Sequence, residues 1–154
     1  MIVVSDTTAV TTLLKARMED LLRVLFGSVR VPQTVWDELS VFHTRLPDFI
    51  AVDCLAEPDR LLPQTSPLGR GESEAITLAK LCHADILLLD DLKARQIATD
   101  LGIKCVGLLG LLIRAKQLGH IPSLRECIAK LETQGGLYLS DKVKNEALRM
   151  AGEF

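Results

Sequence analysis

The chain has 154 residues, of which 48% are hydrophobic and 25% are charged, so it can bury a full core and is not a disordered protein. Aromatic residues make up only 4%, which excludes base stacking on an aromatic platform as the main mode of nucleic-acid recognition. The formal net charge of −2 argues against a protein whose whole surface binds nucleic acid, although a cluster of functional acids would lower that total locally. We expect residues 1–154 to form one domain.

The sequence carries no sign of export or membrane insertion. The N-terminal sequence Met-Ile-Val-Val-Ser-Asp lacks the basic region and the long apolar run of a signal peptide. No window approaches the roughly 18 apolar residues of a membrane-spanning helix. The four cysteines form no Cys-x-x-Cys pair, which argues against a zinc ribbon or a redox motif. We therefore expect a cytoplasmic protein with no membrane partner.

The chain opens with a short apolar run, Ile2–Val4, that is typical of a strand buried on both faces of a parallel sheet. Asp6 follows at the carboxyl end of this strand, where parallel sheets bind ligands. Asp6 and Thr7 are also residue types that cap helices, so a structural cap is the alternative role. The next predicted elements are helices at Ala9–Ala16 and Met18–Phe26 and a strand at Val29–Val31.

A third helix is predicted to begin at Pro32, which suits the first helical turn. Val35 and Leu39 are four residues apart and share one face of this helix, and Glu38 lies at the edge of that face. Asp37 is rotated by about 100° and points to solvent. Glu38 is therefore the candidate for a site, with a surface position as the alternative.

The next segment, Leu46 to Pro67, contains four prolines. This composition predicts an irregular connection around a short strand at Ile50–Val52.

The stretch from Gly69 to Arg95 contains most of the remaining acids of interest. A helix is predicted from about Arg70, with Glu72 on its apolar side and Glu74 pointing elsewhere, although the helix dipole alone also favours acids in a first turn. The apolar strand Ala84–Leu89 ends at Asp90 and Asp91. Asp91 is expected to cap the helix Leu92–Leu101, which leaves Asp90 for chemistry, although both acids are candidates.

The remaining elements complete an alternating pattern of strands and helices. That alternation, without internal repeats, predicts a three-layer α/β domain with a central parallel sheet. The elements are a strand at Lys104–Val106, a helix at Gly107–Leu118, a helix opened by the capping box Ser123-x-x-Glu126, and a helix from Ser140 to near Gly152.

Asp6, Glu38, Glu72 and Asp90 come from four different elements, and acids that share a small volume disfavour joint ionisation. A hard divalent cation removes that conflict, and a site of oxygen ligands suits Mg²⁺ or Mn²⁺ rather than zinc. Such an ion activates water and stabilises charge on a phosphate. We therefore expect these four acids to be catalytic metal ligands, with Asp91 as a further ligand candidate.

Three other side chains are candidates for supporting roles. Thr7 has a hydroxyl that would orient a ligand or a water, with a helix cap as the alternative. Arg95 and Lys93 are candidates for phosphate contact, and a solvated helix face is an equal alternative for Lys93.

Four segments together closely resemble the PIN-domain proteins, and within them the bacterial and archaeal branch related to VapC toxins. The resemblance covers nearly the whole chain in the right order. Two further segments, Gly107–Leu112 and Ile121–Ser123, also match that branch. The four segments that carry the resemblance are Val4–Thr8, Val31–Leu39, Gly71–Ile76 and Leu88–Arg95.

The resemblance implies an α/β/α fold and a Mg²⁺- or Mn²⁺-dependent ribonuclease. The four acids of the family match Asp6, Glu38, Glu72 and Asp90, with Asp91 adjoining the fourth. The third acid is often aspartate in the wider family, so the glutamate at position 72 is a departure that would alter the metal geometry. The resemblance also implies a small antitoxin partner and a homodimer, for which the apolar early helices would supply an interface.

The sequence leaves one other function open and argues against a second. One is a non-catalytic binding module that captures a basic segment of a partner in the acidic pocket. The other is a phosphatase of the aspartyl-phosphate type, which needs a second aspartate two residues after the first, where this chain has Thr8.

Overall fold

The computed structural model describes residues 1–57 and 60–153. Within these ranges the chain forms a five-stranded sheet in which neighbouring strands are parallel, with the spatial order β3-β2-β1-β4-β5. The predicted α/β fold with a central parallel sheet is therefore confirmed. The strands are Val3–Ser5 (β1), Val29–Val31 (β2), Ile50–Val52 (β3), Ile86–Leu88 (β4) and Cys105–Val106 (β5).

The helices lie where the sequence predicts them, with small shifts at their ends. In the irregular connection from Leu46 to Pro67 the structure adds a 3-10 turn at Pro63–Thr65, and residues 58–59 lie outside the described residues. In the described ranges no helix combines the length and apolarity needed to cross a membrane. The helices are Thr7–Lys15 (α1), Asp20–Phe26 (α2), Gln33–Leu39 (α3), Arg70–Leu81 (α4), Leu92–Asp100 (α5), Leu108–Gln117 (α6), Leu124–Gln134 (α7) and Asp141–Met150 (α8).

The three layers follow from the alternation of side chains along the two central strands. Val3 and Leu88 face one side of the sheet, where they pack in a core with α1, α2, α3, α6, α7 and α8. Val4, Leu87 and Leu89 belong to a second core, which α4 and α5 cover. Because both faces are buried, the central strands are continuous apolar runs.

The strand order reverses between β1 and β4. The chain runs from β1 outward to β2 and β3, and then returns to the other side of β1 to form β4 and β5. Ser5 lies opposite Leu88, and the N–H of Asp6 donates to the carbonyl of Leu88 at 3.1 Å. Ligands of open parallel sheets bind in the crevice at such a reversal, beyond the carboxyl ends of the strands. The fold thus brings the residues that follow β1 and β4 to the same edge.

We predict that Leu13→Ala lowers the free energy of unfolding by about 2–5 kcal/mol, because Leu13 of α1 is fully buried in the larger core. Urea denaturation followed by circular dichroism measures this change. Leu81, at the end of α4, is 62% exposed, so Leu81→Ala is the matched control and should change stability by less than about 0.5 kcal/mol. Equal losses in the two variants would contradict this view of the core.

Candidate active site

Asp6 lies directly after β1, and only 3% of its surface is exposed. Its Oδ1 accepts a hydrogen bond from the N–H of Ala9 at 3.2 Å, so Asp6 does cap α1. Burial raises the pKa of Asp6 to about 7, and the hydrogen bond from Ala9 opposes that shift. The negative charges of Asp90, Glu72 and Glu38 contribute to the same rise. The carboxylate of Asp6 therefore both caps α1 and belongs to the acidic cluster.

Glu38 reaches the end of β1 from the surface of α3. The hydroxyl of Thr7 donates to Glu38 Oε2 at 2.6 Å, which makes Thr7 the residue that holds this carboxylate. Gly71 packs against both, since a Cβ at Gly71 would lie 3.0 Å from Glu38 Oε1 and 3.5 Å from Thr7 Oγ1. Asp37 is exposed and accepts a hydrogen bond from Gln33, as its predicted surface role requires.

An open cleft of about 240 Å³ lies at this edge of the sheet, and we call it the acid cleft. Asp6, Glu38 and Glu72 are its acidic lining, and Arg70 is the cationic side chain beside them. Glu72, in the first turn of α4, thus points where the sequence predicts. Partial burial raises the pKa of Glu72, and the charge of Asp91 is the next cause.

Asp90 lines a neighbouring cleft rather than the acid cleft. Its Oδ1 accepts a hydrogen bond from the N–H of Leu108, the first residue of α6, at 2.8 Å. A Cβ at Gly107 would lie 2.8 Å from this Oδ1 and 3.3 Å from Nη1 of Arg95. Because Gly107 has no side chain, there is room beside it for the side chains of Asp90 and Arg95. Asp90 still interacts with Asp6, because its charge is one cause of the raised Asp6 pKa.

Asp91 caps α5 as predicted, since its Oδ1 accepts a hydrogen bond from the N–H of Lys93 at 2.9 Å. Its carboxylate also lies close enough to Glu72 to raise the pKa of that residue. Arg95 lines the neighbouring cleft together with Asp90. Lys93 is exposed and lines neither cleft, which favours its alternative reading as part of a solvated helix face.

The structure brings Asp6, Glu38 and Glu72 to one cleft and places Asp90 at its border. Among residues 1–57 and 60–153, no three Asp, Glu, His or Cys side chains stand together as a ready-made ligand set for an ion. Hydrogen bonds hold three of these carboxylates, since Asp6 and Asp90 accept from backbone N–H groups and Glu38 accepts from Thr7. Each bond fixes the position of its carboxylate at this edge of the sheet.

The donor chemistry of this edge fits a hard divalent cation. The residues that line the acid cleft include neither histidine nor cysteine, and oxygen donors are the ligands that Mg²⁺ and Mn²⁺ prefer. The raised pKa of Asp6 shows that its ionised form is unfavourable without a compensating charge. A cation would supply that charge.

The contacts that join α3 to α4 are not among those predicted from the sequence. Glu74 points away from the acid cleft, as predicted, but it is only 3% exposed. It accepts hydrogen bonds from the hydroxyl of Thr34 and from Nε of Arg70, the latter at 3.0 Å. The bond from Thr34 joins α3 to α4, the helices that carry Glu38 and Glu72. The spacing of Arg70 and Glu74, four residues apart, was the available signal for an ion pair.

Comparison with known proteins agrees with this fold. The family model described as a PIN domain matches residues 2–153. The fold is similar to that of a PilT N-terminus domain protein from the hyperthermophilic archaeon Sulfolobus solfataricus P2, with a TM-score of 0.58 and 19% sequence identity over 80% of this chain and 98% of that chain. None of the curated proteins matches the chain.

Because the family model spans almost the whole sequence, the chain belongs to the PIN-domain family. PIN domains are generally nucleases and typically use divalent metal ions. The acid cleft lies at the strand reversal, where the fold places its ligands.

We predict that Gly107→Ala lowers the affinity for Mn²⁺ roughly tenfold, because the new methyl group would push Asp90 from its bond to Leu108. Isothermal titration calorimetry measures the affinity. Gly110→Ala is the matched control, since a Cβ there would make only an ordinary contact of 3.5 Å with Val106. Equal affinities for the two variants would contradict the role of Gly107.

A second prediction concerns the stability of the metal-free protein. The pKa of Asp6 is about 7 in the folded chain against an ordinary value of 3.8, so between these values the folded state binds more protons than the unfolded state. The contribution of Asp6 to stability is therefore fully present below about pH 4 and is lost as the pH rises to about 7 and above.

The Asp6→Asn variant has no carboxyl group to ionise at this position, so it does not lose this stability as the pH rises. In EDTA at pH 8 we expect the variant to be more stable than the wild type by about 1–4 kcal/mol, with the difference shrinking toward pH 4. Urea denaturation across this pH range is the measurement, and the exposed Asp37→Asn is the control. A variant that is less stable than the wild type at pH 8 would instead identify Asp6 as a structural residue.

Proposed function

We propose that the chain is a Mg²⁺- or Mn²⁺-dependent endoribonuclease that hydrolyses RNA phosphodiester bonds, acting in the cytoplasm as the VapC-like toxin of a toxin–antitoxin pair. One observation carries this proposal most directly. Asp6, Glu38 and Glu72 line one cleft at the strand reversal, and Asp90 stands at the border of that cleft. A PIN domain that keeps this set of acids has the ligands that metal-dependent phosphodiester hydrolysis requires.

The four acids would hold the ion, and Asp91, which stands beside Glu72, would be a further oxygen ligand. When bound, the ion would activate a water and neutralise charge on the phosphate. The protein contributes the fixed positions of these groups: the pairing of β1 with β4 holds Asp6 and Asp90, and Thr7 holds Glu38. Asp6 must lose its proton to bind a cation, so we expect metal binding to strengthen as the pH rises through about 7.

Arg70 is the residue that would face the substrate phosphate at the acid cleft. Its side chain lines the cleft, and its Nε donates to the buried Glu74 at 3.0 Å. This bond orients the guanidinium group, whose planar set of N–H donors suits phosphate recognition. Arg70 was not among the sequence candidates, whereas Arg95, which was, lies beside Asp90 in the neighbouring cleft.

The proposed partners follow from the same surface. A small antitoxin with a basic segment would complement the acid cleft electrostatically. A homodimer would use α1 and α2, since Val24 is 38% exposed and Leu21 is only partly covered. These side chains present apolar surface of the kind that dimer interfaces bury.

The second candidate is a PIN-fold binding module without catalysis, which would capture a basic segment of a partner. Exposed apolar side chains next to the acids favour it: Phe42, four residues after Glu38, is 76% exposed, and Leu92, directly after Asp91, is 81% exposed. Apolar groups beside an acidic cleft suit a protein ligand. Tight binding of a partner with no hydrolysis across a broad RNA panel would favour this candidate over the nuclease.

We predict that Asp6→Asn lowers metal-dependent RNA cleavage by about 100-fold or more, because the loss of outer-shell partners alone costs 10–100-fold at metal sites. Cleavage of a mixed RNA panel with Mg²⁺ or Mn²⁺, resolved on denaturing gels, is the measurement. Asp37→Asn makes the same chemical change on the outer surface of α3 and should cleave like the wild type. Cleavage that persists in Asp6→Asn, once a contaminating nuclease is excluded, would overturn the catalytic assignment.

A further inference from the structure

A second, larger cleft lies beside the acid cleft, and we call it the α6 cleft. Its volume is about 560 Å³, and Asp90 is part of its lining. Phe26, Ile86 and Leu109 belong to its apolar walls. Asp90 is close enough to the acid cleft for its charge to raise the pKa of Asp6, so a polymer that reached Asp90 along the α6 cleft would lie near the other acids.

The α6 cleft follows one face of a helix. Gly107, Gly110, Leu111, Arg114 and Leu118 all line it, and their spacing is that of a single helical face. From Gly107, next to Asp90, to Leu118 the chain rises by roughly 16 Å, at about 1.5 Å per residue. The cleft is thus long enough for an extended chain and longer than a pocket for a small molecule needs to be.

The lining contains three cations, Arg95, Lys104 and Arg114, and one acid, Asp90. In the described part of the chain none of the three cations forms an ion pair or a side-chain hydrogen bond. In a chain with a formal net charge of −2, this local excess of unpaired positive charge complements a polyanion.

Gly110 supports the same interpretation. It lies inside α6, where glycine costs about 0.5–1 kcal/mol relative to alanine. A Cβ there would touch only Val106 Cγ1, at 3.5 Å, so packing does not require glycine. The missing side chain instead keeps the cleft open midway between Gly107 and Arg114.

We propose that the α6 cleft binds a single strand of the RNA substrate and guides it to Asp90, an inference that rests on the proposed nuclease function. The phosphates of the strand contact Lys104 and Arg114, and Arg95 contacts the phosphate nearest the acids. The riboses and bases lie along the apolar walls, which provide little sequence discrimination.

The test measures binding of a short fluorescent oligouridylate by fluorescence anisotropy at several salt concentrations, in the Asp6→Asn background so that the strand is not cut. We predict that Lys104→Gln and Arg114→Gln each weaken binding several-fold. Each should also reduce the slope of log affinity against log salt by about 0.7, the value for one contact to a single strand. Lys142→Gln and Arg125→Gln, on the exposed surfaces of α8 and α7, are the matched controls and should leave both quantities unchanged.

A second pair of variants tests the path itself. Gly110→Gln and Gly110→Glu introduce side chains of equal size into the cleft, and only the glutamate is charged. We expect the glutamate variant to bind the oligouridylate more weakly than the glutamine variant, with the difference shrinking at high salt. Circular dichroism melting of both variants verifies that they are folded.

Lys104 and Arg114 variants that match their controls in affinity and in salt slope would overturn the α6 cleft proposal. If the same variants instead lost affinity for an amphipathic leucine–glutamate peptide, the cleft would be a docking site for a protein helix. These failures are distinct from failure of the nuclease function, which shows as unchanged cleavage in Asp6→Asn with the cleft intact.

Discussion

The parallel pairing of β1 with β4 is the interaction on which the candidate site depends. It sets Ser5 opposite Leu88, so the residues that follow the two strands meet at the reversal of the sheet. Asp6 and Asp90 are 84 residues apart in the chain, yet they become electrostatic neighbours through this pairing. The helices then complete the cluster, since α3 carries Glu38 to Thr7 and α4 carries Glu72 to the same cleft.

This geometry concentrates negative charge in a partly buried place, which opposes folding unless the charge is neutralised. The protein limits the cost in two ways. Asp6 has a pKa of about 7, so it is partly protonated near neutral pH in the metal-free chain. Hydrogen bonds from the hydroxyl of Thr7 and the N–H of Leu108 offset part of the cost of holding Glu38 and Asp90 at this edge. A divalent cation would neutralise the carboxylates directly and draw them together, in place of the protonation of Asp6 and the hydrogen bonds to the other acids. The unfavourable electrostatics of the metal-free cleft are thus the source of its expected affinity for metal.

Much of the fold followed from local patterns, because buried strands are continuous apolar runs and helices have recognisable starts. The positions of Asp6 and Asp90 at strand ends followed from the same patterns. Contacts between distant elements were not predictable in this way. Nothing in the sequence marks Thr34 as the partner of Glu74, or places Arg114 in line with Asp90. Such relations depend on how helices pack across the sheet, which local periodicity does not encode.

The most direct test of this account is the position of Mn²⁺ in crystals of the protein, located by anomalous diffraction. We expect an ion within roughly 2–2.5 Å of a carboxylate oxygen of Asp6 and of at least one other acid among Glu38, Glu72 and Asp90. Their side chains should have rotated toward the ion from the positions described above. Ions bound only elsewhere on the surface at saturating Mn²⁺, with the acids unmoved, would contradict the assignment of this edge of the sheet as the metal-dependent active site.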